Sequence, residues 1–166
     1  MKTIKLLSVV FALAALVSCS SDDGSSYGQI VGDWYKVSSK YLVDDQEIEL
    51  TYDQELCLYD EDGVCLQWFQ KSDPSSDMAW GIPISFYSGG KLECFFIKGT
   101  YRLKGDRVIC NVMGDEYEFI REGEYLVDRE NELDIYSYKV IDTWSSETIN
   151  GGLADKFVKV LYYQKQ

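Results

Sequence analysis

The chain of 166 residues contains no histidine. Histidine is the commonest general base and a common metal ligand, so its absence excludes a Ser-His-Asp triad and the usual histidine-containing zinc sites. Positive charge is also scarce, because 28 acidic residues outnumber 16 basic ones and give a formal net charge of −12. An acidic surface repels phosphate backbones, and we therefore expect no nucleic-acid partner.

Acidic residues are abundant, but they cluster at predicted turns, at 44–45, 60–62 and 128–132. Aspartate is favoured in turns because it hydrogen-bonds its own backbone. The run Asp60-Glu61-Asp62-Gly63 does not fit an EF-hand, since the first ligand would lie five residues before the glycine, where Leu58 stands. We therefore expect no metal, no cofactor and no catalytic residue, and an enzyme is the least favoured class of function.

Long apolar runs are absent apart from residues 6–17, which are too few to span a bilayer. Lys2 and Lys5 precede this run, and Leu16-Val17-Ser18-Cys19 follows it. A basic region, an apolar region and small residues before a cysteine are typical of a lipoprotein signal. We predict a signal peptide over 1–18 and acyl chains such as palmitate on Cys19 as the membrane anchor. The alternative is an ordinary secretory signal cleaved near Ser18.

Residues 19–28 are rich in serine, aspartate and glycine, which is typical of a flexible tether. Their acidic pair, Asp22 and Asp23, resembles the export signal that sends some Gram-negative lipoproteins to the outer face of the outer membrane. The resemblance implies an outer-membrane lipoprotein exposed at the cell surface. The alternative is that any solvated tether has this composition. Residues 29–166 then form one domain, which we expect to be a monomer.

The residue pattern of that domain predicts strands over most of its length. Over 30–43, the residues Tyr35, Val37, Tyr41 and Val43 recur at every second position, as a half-buried strand requires. Turn signals follow about every ten residues, and the polar stretch 145–155 is predicted as a loop or a short helix. We predict an all-β fold, an antiparallel up-and-down β-barrel of roughly 8–10 strands. The alternative is a β-sandwich of the immunoglobulin type.

Gly32-Asp33-Trp34-Tyr35 resembles the opening motif of lipocalins and of shorter bacterial lipocalin-like lipoproteins, and 99–106 resembles a hairpin midway along those domains. The resemblance implies that Trp34 plugs one end of a barrel, beneath a basic residue of the last strand, here Lys159 or Lys165. Trp34 is out of register with the apolar positions of its strand. Either the strand bulges after Trp34 or the lumen is polar.

Four cysteines remain once Cys19 carries lipid: Cys57, Cys65, Cys94 and Cys110. An envelope location permits disulfides. Cys57 and Cys65 lie four residues on either side of Glu61, so a hairpin centred there would place them opposite each other. We predict a Cys57–Cys65 disulfide, with four buried free thiols as the alternative.

Aromatic residues are numerous, with 13 Tyr, seven Phe and four Trp. Most should fill the core, and some could line a cavity that holds an apolar or amphipathic ligand. We therefore expect a non-catalytic, membrane-anchored protein that binds a small ligand in its barrel. The alternative is a protein-interaction, inhibitor or assembly module with a filled barrel that acts through its loops. A cavity of roughly 300 Å³ or more would favour the ligand.

Overall fold

The computed structural model describes residues 23–71 and 81–166. The predicted signal peptide 1–18 and the predicted lipid site Cys19 therefore lie outside the described residues. The chain divides into two units, 1–30 and 31–166. The first contains the helix α1, Asp23–Ile30. The second contains the strands β1 (Gly32–Val43), β2 (Gln46–Ile48), β3 (Gln54–Tyr59), β4 (Cys65–Gln70), β5 (Ile84–Tyr87), β6 (Lys91–Cys94), β7 (Ile97–Lys104), β8 (Arg107–Val112), β9 (Asp115–Glu122), β10 (Tyr125–Asp134), β11 (Ser137–Asp142), β12 (Thr148–Leu153) and β13 (Lys156–Lys165).

The helix α1 overlaps residues 23–28 of the segment that was predicted as a flexible tether. The pattern analysis missed this helix because eight residues with two glycines carry little helical signal.

Eight strands close into an antiparallel barrel in the order β1-β5-β6-β7-β8-β9-β10-β13, and β13 pairs with β1 to complete the ring. The all-β prediction and the barrel prediction are confirmed, and the sandwich alternative is not adopted. Consecutive hairpins join β5 to β10, as the up-and-down order requires. Residues 91–104 form the hairpin β6–β7.

A second antiparallel sheet, of order β12-β11-β3-β4, was not predicted. The short strand β2 pairs with the C-terminal end of β1. The strand β12 corrects the predicted loop or short helix over 145–155. Polar residues and Gly151-Gly152 hid this strand because they lack the apolar alternation of a half-buried strand. Every residue of β12 is exposed, as an edge strand with few packing contacts permits.

The second sheet packs against the C-terminal half of β1 and the N-terminal half of β13. Tyr41 and Val43 of β1 and Phe157 of β13 share one buried cluster with residues of the second sheet, among them Leu56 and Phe69. The rings of Phe69 and Phe157 stack with centroids 4.7 Å apart. Aromatic pairs of this kind add to the stability gained from area burial alone, so the long closing strands tie the barrel and the second sheet into one core.

Candidate functional site

The register of β1 explains how Trp34 joins the lumen. Trp34 pairs with Lys165, and the pairing of β1 with β13 shifts between Lys36 and Ser38. The additional residue turns the strand, so that Trp34 lies on the same face as Tyr41. The bulge predicted as one of two alternatives is therefore present.

Trp34 lies beside the end of the last strand, β13. Trp34 is buried, and Lys165 lies directly opposite it. Lys159, the other candidate, pairs with Tyr41 instead, and its Nζ lies 5.9 Å from the ring centroid of Phe69. Lys165 is therefore the basic residue beside the tryptophan.

Aromatic rings occupy the lumen of the eight-strand ring. Phe86 and Tyr101 meet edge to face with centroids 5.0 Å apart, and Phe119 and Tyr163 do so at 5.6 Å. The Tyr101 hydroxyl donates to the carbonyl of Tyr87 at 3.1 Å. An eight-stranded barrel is just wide enough for side chains to fill or for one small ligand. These rings take up much of that width.

A groove lies beside β1 among the described residues. On this side β1 pairs with β5 only over Gly32–Trp34 and with β2 only over Tyr41–Val43. Neither β5 nor β2 pairs with residues 35–40. A groove of about 720 Å³ follows this open edge. We call it the β1 groove, and its lining residues are Val37, Ser38, Ser39, Lys40, Tyr41, Glu47, Ile48, Glu49, Leu50, Thr51, Tyr52, Gln54 and Lys71.

The apolar part of the groove comes from the core. Tyr41 and Leu50 are buried members of the cluster that joins the two sheets. The Tyr41 hydroxyl donates to the carbonyl of Gln70 at 3.0 Å, and burial raises the pKa of this phenol. Tyr41 is therefore neutral at physiological pH and presents a fixed ring face.

The polar part of the groove carries charges of both signs. Lys40 Nζ lies 2.9 Å from Glu47 Oε2, and this hydrogen bond raises the pKa of Lys40. Lys71 Nζ lies 5.3 Å from the ring centroid of Tyr52, within the range of a cation–π contact. Apolar side chains beside charged ones suit a ligand with an apolar body and a polar head.

The cysteines predicted to form a disulfide lie on the same face of neighbouring strands. Cys57 pairs with Trp68 and Cys65 with Tyr59, because a register shift follows Leu58. The two cysteines are therefore diagonal neighbours and not directly opposed, which corrects the predicted register. Both are thiols in this structure, and the bridge stays a prediction. Burial raises the pKa of Cys57, with a smaller effect from Cys65.

Other predicted features can now be placed. Asp60 caps its own turn, since its Oδ1 accepts from the backbone N–H groups of Asp62 and Val64 at 3.1 and 2.8 Å. This is the turn role expected for the acidic run. Across 23–71 and 81–166, no group of three or more His, Cys, Asp or Glu side chains is arranged to hold a metal ion. The same residues contain no helix that is long and apolar enough to cross a membrane.

Comparison with known proteins adds no relative to this picture. No protein-family model matches the chain, and no curated protein or solved structure matches it significantly. The fold and the β1 groove are therefore the features that indicate a function for this chain.

Proposed function

We propose that this chain is a membrane-anchored, non-catalytic binding protein that holds a small amphipathic ligand in the β1 groove. The anchor is acylation at Cys19, and the location is the outer membrane. The lipocalin-like start at Gly32 and Trp34 supports a carrier function by resemblance. The groove itself carries the proposal, because its volume of about 720 Å³ falls within the range of small-molecule sites.

The ligand lies outside the ring lumen in this proposal. Aromatic pairs occupy the lumen, whereas the groove opens where the ladder of β1 is interrupted. A fatty acid, a lysophospholipid or an alkyl glycoside combines the apolar body and the polar head that this lining requires.

Two measurements test the proposal. Native mass spectrometry of the protein purified from its own host should show a retained small-molecule mass. A screen of fatty acids, lysophospholipids and alkyl glycosides should find a ligand that raises the Tm. The free energy of unfolding should increase with ligand concentration as RT ln(1 + [L]/Kd). If no member of these classes raises the Tm and no mass is retained, the ligand-binding proposal is wrong.

Matched variants locate the ligand. Tyr52 lines the groove and is 62% exposed, so Tyr52→Ala should weaken binding with little effect on the fold. Tyr136 is 51% exposed and does not line the groove, so Tyr136→Ala is the control. Equal binding by the wild type and both variants would place the ligand elsewhere and contradict the groove assignment.

A protein-interaction module remains the second candidate. Trp68 and Trp144 of the second sheet and its loops are 64% and 87% exposed. Exposed tryptophan is uncommon on a surface with no partner and is enriched at interface hot spots. If the ligand screen fails and Trp68→Ala or Trp144→Ala abolishes a defined protein complex, this second function replaces the first.

A further inference from the structure

Two neighbouring hairpin tips present apolar side chains to solvent. The turn between β6 and β7 is Phe95-Phe96, flanked by the pair Cys94 and Ile97. The turn between β8 and β9 begins with Met113. Phe96 is 91% exposed, Met113 82% and Phe95 51%, and Ile97 is also exposed. We call these four residues the apolar tip.

The two turns lie at the same end of the barrel. In an up-and-down barrel successive hairpin turns alternate between the two ends. The turns β6–β7 and β8–β9 therefore share one end, and Gly99 of β7 pairs with Val112 of β8, just before Met113. The other end holds Gly32 at the start of β1, paired with Phe86 near the end of β5. The apolar tip therefore lies at the end of the barrel opposite Gly32.

The backbone of the apolar tip is strained for the residues it carries. Phe95, Phe96 and Met113 have φ values of 50°, 65° and 57°. Left-handed φ suits glycine and asparagine in two-residue hairpin turns and is unfavourable for bulky residues. At the opposite end, the turns β7–β8 and β9–β10 place Gly105 and Gly123 at the left-handed position. The turn β6–β7 thus has phenylalanine at both of its left-handed positions, whereas the turns β7–β8 and β9–β10 have glycine there.

Packing does not explain this choice. A side chain that is 91% exposed contributes little to the core. Strained residues persist where the surrounding structure holds them and tend to cluster at functional sites. The two phenylalanines and the methionine are therefore displayed at a cost to the fold, which points to a function for the exposed surface itself.

We propose that the apolar tip inserts into the interfacial region of a lipid bilayer whose headgroups are zwitterionic. The four side chains of the tip carry no charge, which suits acyl chains better than the polar rim of a protein interface. At roughly 200 Å² for a fully exposed large side chain, the four residues offer roughly 500 Å². A stable protein interface needs about 800 Å² per partner. The net charge of −12 disfavours anionic headgroups.

This inference is independent of the β1 groove, and the experiment keeps the two apart. The chain from position 19 onwards, carrying Cys19→Ala so that no acyl chain contributes, is titrated with phosphatidylcholine vesicles and sedimented. The same titration is repeated with vesicles that contain phosphatidylglycerol. Binding to phosphatidylcholine is expected, with no gain from the anionic lipid.

The decisive variant is Phe95→Asn with Phe96→Gly. It removes two apolar side chains and should weaken vesicle binding roughly a hundredfold, from the burial of two phenylalanines. Asn-Gly suits this turn, so the same variant should raise the Tm, and a loss of binding then cannot come from misfolding. Met113→Asn creates Asn-Gly in the second turn and should act in the same direction. Trp144→Asn is the control, because Trp144 is similarly exposed but lies in the connection between β11 and β12.

A direct readout places the tip in the bilayer. Phe96→Trp should show blue-shifted emission and quenching by brominated phosphatidylcholine, beyond the signal of the wild-type chain. Leu153→Trp, at an exposed position of β12, should show neither change. Absence of vesicle binding by the Cys19→Ala chain, or equal binding by it and by the Asn-Gly variant, would overturn the proposal. A protein that binds the tip while vesicles do not would replace the bilayer as its partner.

Discussion

Lys165 lies against Gly32 at the end of the barrel where the first and last strands meet. A Cβ on Gly32 would lie 2.6 Å from Cε of Lys165, and the φ of Gly32 is +136°. The glycine of the Gly-x-Trp motif therefore gives room to the lysine stem and adopts a backbone conformation that other residues rarely reach. Trp34, two residues later, is buried opposite the same lysine.

Trp34→Ala should destabilise the fold whether or not a ligand exists. Truncation of a buried tryptophan typically costs about 3–5 kcal/mol, because the cavity it leaves is only partly filled by relaxation. Urea unfolding should show this loss for Trp34→Ala. Trp144→Ala is the matched control and should change the free energy of unfolding by less than about 0.5 kcal/mol, since Trp144 is 87% exposed. Equal effects of the two variants would contradict the plug role of Trp34.

Gly99→Ala should be among the most damaging glycine substitutions. A Cβ at Gly99 would lie 2.4 Å from the carbonyl oxygen of Asn111, and backbone cannot move aside as a flexible side chain can. We expect a loss of about 1–3 kcal/mol from overpacking. Gly152→Ala in β12 serves as the control, because its nearest neighbour is the side chain of Tyr138 at 3.3 Å. Chemical denaturation of both variants decides the matter, and a neutral Gly99→Ala would contradict the close approach.

The sequence predicted those strands and turns that depend on neighbouring residues alone. The alternation along 30–43 and the turn at 104–106 specify a strand and a hairpin through neighbouring residues alone. The second sheet and the β1 groove depend on which distant strands pair, and no short window contains that information. The β1 groove exists because β5 and β2 each cover only three residues of a 12-residue strand. Phe95-Phe96 was missed because its residues favour strand and not turn.

Lipidation at Cys19 is a prediction of the sequence, and Cys19 lies outside the described residues. Radiolabelled palmitate should label the wild-type protein in its host and should not label Cys19→Ala, which should stay unprocessed or soluble. Cys65→Ala is a suitable control, because Cys65 is an exposed cysteine that follows no lipobox. Equal labelling of wild type and Cys19→Ala would contradict the anchor.

A Cys57–Cys65 disulfide requires the two strands to change their relative register. Diagonal positions on neighbouring strands lie about 7–8 Å apart, whereas the Cβ atoms of a disulfide lie about 3.5–4.5 Å apart. Oxidation must therefore shift the irregular register that follows Leu58. Peptide mapping of envelope protein under non-reducing conditions should recover the 57–65 pair, and Cys65→Ser should remove it. Recovery of four alkylated thiols would refute the bridge.

Cys110 should make stability depend on alkaline pH. Burial in the lumen raises the pKa of Cys110 to about 12, with a smaller contribution from the charge of Asp128. The unfolded thiol ionises near pH 9, so the folded state binds the proton more tightly. The stabilisation is fully present below pH 9 and is lost as the pH rises from about 9 to about 12. A shift of about 3 units corresponds to a loss of up to about 4 kcal/mol.

Urea midpoints measured from pH 8 to pH 11 should therefore fall for the wild-type chain. They should fall less steeply for Cys110→Ala, because that variant lacks the thiol but keeps every other titrating group. Burial also raises the pKa values of Cys94 and Tyr41, so a residual slope is expected in the variant. A thiol-reactive reagent provides the second measurement: below pH 10 it should modify exposed Cys65 rapidly and Cys110 only on unfolding. Identical pH slopes in wild type and Cys110→Ala would show that this thiol does not control the alkaline transition.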